Sequence, residues 1–128
     1  MNLKELINLI QKRPGVFVEE ERLDYVYYLV CGHLGCNLKN KMNYKEDLNF
    51  SSFFPRWLLI WVRDHVDKNY ELRTLVWYHI IEDVTNTDSE ALELFFKLCD
   101  EFFQLDEETL QEIIDADDEL DDEDNEES

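Results

Sequence analysis

The sequence predicts an all-α fold, a bundle of five or six helices with a disordered acidic C-terminal tail. Apolar residues recur at helical spacing in several separate stretches. Hydrophobic residues make up 45% of the 128 and aromatics 13%, with three Trp, six Tyr and eight Phe, enough to fill one core. The charge is also segregated. Of the 31 Asp and Glu, 14 fall between Asp106 and Ser128, where there is no Lys or Arg. Residues 1–105 are left with 17 acids against 12 bases. These observations divide the chain into a helical domain over 1–115 and an acidic tail over 116–128.

The elements follow in order. Leu3, Leu6, Ile7 and Ile10 predict a first amphipathic helix over Asn2–Lys12, stopped by Pro14-Gly15. Val16-Phe17-Val18 reads as a short extended link. A second helix is expected over about Glu20–Leu38, with Leu23, Val26, Tyr27, Val30 and Leu34 on its buried stripe. Glu19, Glu20, Glu21 and Asp24 crowd its start, where the helix dipole favours negative charge. Gly32 and Gly35 lie three apart within it, a spacing that predicts close approach of another helix.

Asn37 to Asn49 is polar and rich in Lys and Asn, and reads as the main loop. Ser51 or Ser52 then caps a third helix, with Pro55 in its first turn and Phe54, Trp57, Leu58 and Trp61 as its stripe. A fourth helix is expected over about Glu71–Val84, carrying Leu75, Trp77, Ile80, Ile81 and Val84. Thr87 and Glu90 form a capping-box pair at the start of a fifth, Asp88–Gln104. Ala91, Leu94, Phe95, Leu98 and Phe102 mark its inner face, and Glu90, Glu93, Lys97, Asp100 and Glu101 its outer one. Asp106 caps a short last helix through about Asp115, docked by Leu110, Ile113 and Ile114. Beyond Ala116 only Leu120 is apolar, and like charges repel at each step.

A net charge of -19 opposes direct binding to nucleic acid or to anionic membranes, both of which call for clustered Lys and Arg. Charges scattered through the first fifteen residues argue against a secretory signal, and three cysteines suit a reduced, cytoplasmic compartment. Cys31, His33 and Cys36 invite comparison with a metal site, but structural zinc takes four converging ligands. Steps of two and five residues on a helix point these three apart, so the cysteines read as buried packing thiols and no cofactor is expected. His33, His65 and His79 sit between apolar residues and read as core or boundary histidines. With three glycines there is no phosphate-cradling loop, and no nucleophile elbow or His-Glu-x-x-His occurs, so catalysis is not expected. The three Trp read as core, while Tyr25, Tyr28, Tyr44 and Tyr70 fall off the stripes and are candidates for exposed contacts.

One set of residues carries a resemblance. Lys12-Arg13-Pro14-Gly15-Val16-Phe17, Leu23 and Tyr27, Ser52-Phe53-Phe54, Trp77 with Ile80-Ile81, and the stretch from Ser89 to Phe102 recur in this order. Over residues 10–103 the chain resembles small helical bacterial immunity proteins of polymorphic toxin systems; the acidic extension lies outside that pattern. The resemblance implies a protein that binds a cognate toxin and holds it inactive, and it brings no site residues with it. A basic toxin such as a nuclease would suit an acidic inhibitor. The outer carboxylates Glu90, Glu93, Asp100 and Glu101 are then the expected partner-binding set. The second reading is an acidic nucleic-acid mimic or regulatory adaptor, whose tail itself occupies the groove of a basic protein.

Overall fold

The structure, a computed structural model, describes residues 1–13, 22–42, 44–71 and 76–116. Six helices and no strand occur among them. They are α1 (Leu3–Lys12), α2 (Leu23–Lys39), α3 (Lys45–His65), α4 (Trp77–Asp83), α5 (Asp88–Gln104) and α6 (107–116). No helix among the described residues is long and apolar enough to cross a membrane. The expected stop at Pro14-Gly15, the link Val16–Val18, the glutamates 19–21 and the tail from 117 onward lie outside the described residues.

α1 takes its start from Asn2, whose side chain accepts the Glu5 N–H at 2.9 Å. Its buried residues are Leu3, Leu6, Ile7 and Ile10, the stripe read from the sequence. α2 begins later than expected: Arg22 is extended, and the helix opens at Leu23. It ends in a hydrogen-bonded stop, with Lys41 N–H donating to Leu38 O at 3.1 Å and Met42 N–H to Asn37 O at 2.8 Å. That stop requires a left-handed residue, and Lys41 fills the position at φ 59°. Glycine adopts this conformation freely; a side chain there costs on the order of 1 kcal/mol.

The expected loop over Asn37–Asn49 is the main correction. α2 continues through Lys39 and α3 already starts at Lys45, so only a short link separates them. Ser51 and Ser52 are therefore interior residues rather than caps, and Pro55 lies mid-helix. Pro55 has no N–H to give the Ser51 carbonyl, a local loss that the packing of α3 outweighs. What overrides the polar composition is tertiary: Phe50 and Phe54 are fully buried, with ring centroids 4.3 Å apart. Burying one such side chain contributes roughly 1.5–3 kcal/mol. Of the expected helix over Glu71–Val84, residues 72–75, Leu75 among them, lie outside the described residues; Val76 is extended and α4 begins at Trp77.

α5 matches its expected bounds. Thr87 Oγ1 accepts Glu90 N–H at 3.1 Å, while Glu90 reaches back to the N–H of Asn86 at 2.9 Å. This helix packs against α1, α2, α3 and α4. Between them Trp77 stacks on Phe95 at 4.9 Å, and Phe102 meets Phe54 edge-on at 5.3 Å. Asp106 then caps α6 through Thr109 N–H at 2.7 Å, and Leu110 and Ile114 enter the core. Helical hydrogen bonding continues to residue 116, one residue past the expected domain boundary.

Candidate interaction face

The outer side of α5 is where the expected contact residues gather. At about 100° per residue, positions 90, 93, 97, 100 and 101 share an arc of roughly 100°. Glu90, Glu93, Lys97, Asp100 and Glu101 are all exposed there, opposite the buried Ala91, Phe95, Leu98 and Phe102. Glu90 is engaged in the cap, and Asp100 accepts the Gln104 amide at 3.1 Å. Lys97 leans away over Trp61, with its ammonium 5.9 Å from the ring centroid. Glu93 and Glu101 have no bonded partner among the described residues. With Gln11 of α1 and Phe96, Glu93, Lys97 and Asp100 line a shallow depression between α1 and α5. Such a surface offers carboxylates to a cationic partner, beside a partly buried aromatic ring.

The Cys31–His33–Cys36 set does not converge. The imidazole Nε2 of His33 lies 3.0 Å from the Met1 carbonyl, and Cys36 Sγ accepts the Asn40 amide at 3.5 Å. No group of three or more His, Cys, Asp or Glu among the described residues is placed to hold a metal ion. The expectation that all the thiols are buried is corrected: Cys31 and Cys36 are exposed, and Cys99 alone is buried. Gly32 and Gly35 face open space instead of a neighbouring helix, with nothing within 4 Å of an added Cβ. Both corrections have one cause. α2 buries only Leu23, Val26, Val30 and Asn37, and the Cys and Gly positions fall outside that stripe. His65 and His79 are exposed: His65 stacks on Trp61 at 4.6 Å, and His79 faces Glu82 at 3.6 Å.

Trp57 and Trp77 are core residues, and Trp61 is half-buried at the edge. Tyr25 and Tyr28 are exposed as expected, but Tyr44 and Tyr70 are half-buried, the Tyr70 hydroxyl donating to Asp83 at 2.9 Å. Tyr27, Tyr28 and Tyr78 form an aromatic ledge between α2 and α4, with Tyr27 and Tyr78 centred 4.5 Å apart. Burial, then the hydrogen bond to Cys31, pushes the Tyr27 phenol up to about 12.

Two features escaped the sequence reading. One is a buried polar pair, Asn37 and Asp47, in which the amide donates to the carboxylate at 2.7 Å. Glu46 and Asp47 in the first turn of α3 were an available helix-start signal. The other is a run of exposed aliphatic side chains, Leu38, Met42 and Leu48, beside the lysines of the α2–α3 link. Compared with protein-family models, with curated proteins and with solved structures, the chain matches none.

Proposed function

We propose that this chain is a cytoplasmic immunity protein that binds a cognate toxin domain, a basic nuclease by preference, and masks it without performing a reaction. The observation that carries the reading is the outer face of α5, where Glu93, Asp100 and Glu101 stand exposed on a helix held by four others. A nuclease needs cations to grip phosphate, and an acidic surface of fixed shape can occupy the same cations. The excess of acids over the whole chain, net -19, draws such a partner in over longer distances. The resemblance described above points the same way.

Affinity capture from the source cell, with mass spectrometry of the bound protein, identifies the partner. Surface plasmon resonance against it then separates the contributions. Glu93→Lys and Glu101→Lys should each speed dissociation by about tenfold, equivalent to about 1.4 kcal/mol. Removing residues 117–128 should slow association and flatten its salt dependence, with the dissociation rate nearly unchanged. If removal of the tail abolishes binding while the helix reversals do nothing, the tail is the ligand and the mimic reading replaces this one.

A further inference from the structure

We infer that the tyrosine ledge between α2 and α4 is a docking surface that seats an arginine side chain of a partner protein. The ledge is built from two helical pairs of the same kind. On α2, Asp24 precedes Tyr28 by four residues; on α4, Tyr78 precedes Glu82 by four. That spacing stands each carboxylate one turn from its ring, on the same side of its helix. Packing of α2 on α4 brings the pairs together, with the Tyr28 and Tyr78 rings centred 6.4 Å apart and inclined at 54°. Tyr28 is 64% exposed, and Glu82 is exposed as well.

The ledge is held from the core side. The ring of Tyr27 is centred 4.9 Å from the buried Trp77, 4.5 Å from Tyr78 and 5.4 Å from Tyr28. A tyrosine has only two side-chain torsions, and rings packed in this way have little freedom left to lose on contact. The electrostatics are those of a cation site, since the face of an aromatic ring is negative. Burial raises the Tyr78 phenol above its ordinary value, followed by its hydrogen bond with Tyr28 and by the negative charge of Tyr28, Glu82 and Asp24. Two carboxylates on different helices therefore bear on one phenol.

The chain already makes such a contact with an arginine of its own. Arg22 places its guanidinium 5.4 Å from the centroid of the Tyr25 ring while donating to Asp24 Oδ2 at 2.9 Å. A ring and a carboxylate share one cation there, within the distance at which the attraction is effective. Tyr28 and Tyr78 with Glu82 offer the same combination, and Glu82 has the His79 imidazole at 3.6 Å as its neighbour. Arginine suits this surface better than lysine, because a planar guanidinium lies flat on a ring and still donates to a carboxylate at its edge. An apolar partner would desolvate the carboxylates without pairing them. A second copy of this chain, net -19, would meet like charge. The inference stands apart from the α5 reading and uses none of its four carboxylates.

The test uses the full chain with isotope-labelled tyrosine rings, followed by NMR at about 0.15 M NaCl, where the Debye length is about 8 Å. The probe is a blocked peptide with one arginine between glycines, beside its lysine and citrulline counterparts. The arginine peptide should shift the ring signals of Tyr28 and Tyr78 to saturation and leave Tyr44 in place. The lysine peptide should bind more weakly, and the citrulline peptide, with the shape but not the charge, should not bind. Tyr28→Leu and Glu82→Gln, both at exposed positions, should each weaken binding by about two- to fivefold. Glu93→Gln/Glu101→Gln should leave the tyrosine shifts unchanged, so the ledge and the α5 face are read separately. Ring signals that stay still, or that follow arginine and lysine equally and ignore both ledge variants, would overturn the inference. Ring shifts on concentrating the free chain would assign the ledge to a second copy and overturn it as well.

Discussion

The carboxylate of Asp47 accepts the N–H of Leu3 at 2.6 Å, so the first residue of α1 is capped from α3, more than forty positions away. The other oxygen of Asp47 takes the Asn37 amide at 2.7 Å, and that amide's second hydrogen reaches the Met1 carbonyl at 3.2 Å. The same carbonyl lies 3.0 Å from His33 Nε2, which must carry a proton to donate to it. The 3.2 Å approach of Asn37 to His33 then sets two donors side by side rather than forming a third bond. Three helices thus meet at one buried polar knot, with a carboxylate at the positive end of a helix dipole.

Replacing Asp47 should therefore be among the costliest polar substitutions in the chain. Asp47→Ala leaves the Leu3 N–H and one of the two Asn37 amide hydrogens buried without acceptors, and should lower stability by about 2–4 kcal/mol in a urea titration. Asp47→Asn keeps one acceptor oxygen and should lose clearly less. Equal losses for the two variants would mean that the packing volume, and not the hydrogen bonds, holds this corner.

The cap of α5 separates stability from binding. Thr87→Ala removes the acceptor of the Glu90 N–H and should cost about 1 kcal/mol, recovered by Thr87→Asn. Substituting Glu90 also breaks its bond to the Asn86 N–H, so binding data from that residue mix two effects. Glu93 and Glu101 are the cleaner probes. A Thr87→Ala variant as stable as the wild type would show that the start of α5 is held by packing alone.

Gly32 should tolerate alanine with a gain. Its backbone is not left-handed and nothing lies within 4 Å of an added Cβ, so Gly32→Ala should raise stability by up to about 1 kcal/mol. Chemical denaturation that shows a loss instead would reveal an unseen neighbour at this face.

Thiol chemistry should divide the cysteines by exposure. A chromogenic disulfide reagent should modify Cys31 and Cys36 rapidly in the folded chain and reach Cys99 only on unfolding. Burial raises the Cys99 thiol well above its ordinary value, with Asp100 adding to the effect, so it stays protonated as well as hidden. Three rapid equivalents would contradict the packing of α5 on its neighbours.

Alkaline titration should single out Tyr27. Its phenol is raised from an ordinary 10.0 to about 12, chiefly by burial and then by the Cys31 hydrogen bond. The folded chain therefore holds a proton that the unfolded chain releases. This contribution to stability is complete below about pH 10 and is lost as pH rises through about 12. The stability advantage of the wild type over Tyr27→Phe should shrink across that window. A constant difference would place the Tyr27 hydroxyl in water.

The parts of the fold that were legible are those where a local signal and the burial pattern agree. Thr87 and Glu90 announced the start of α5, and Leu3, Leu6, Ile7 and Ile10 defined α1, because side chains alone encode caps and stripes. The start of α3 was misread because its first turns are polar and are held from outside by Leu3 and Asn37, partners that no sequence window contains. Cys31, Gly32, Gly35 and Cys36 were judged by residue type, which reports average burial and not which side of α2 finds a neighbour. The four carboxylates of α5 were placed correctly on the outside, since helical phase alone decides that.

The position of α5 against four other helices bears on how its outer face would meet a partner. A helix clamped on so many sides has little freedom left to lose, so docking there costs little ordering entropy. The surface behaves as a rigid stamp in its backbone, with the spacing of the helical positions that carry the carboxylates set before the encounter. Affinity on such a surface depends on how well a partner's cations fit that spacing. A partner with the same charge but the wrong spacing would be attracted as fast and released sooner.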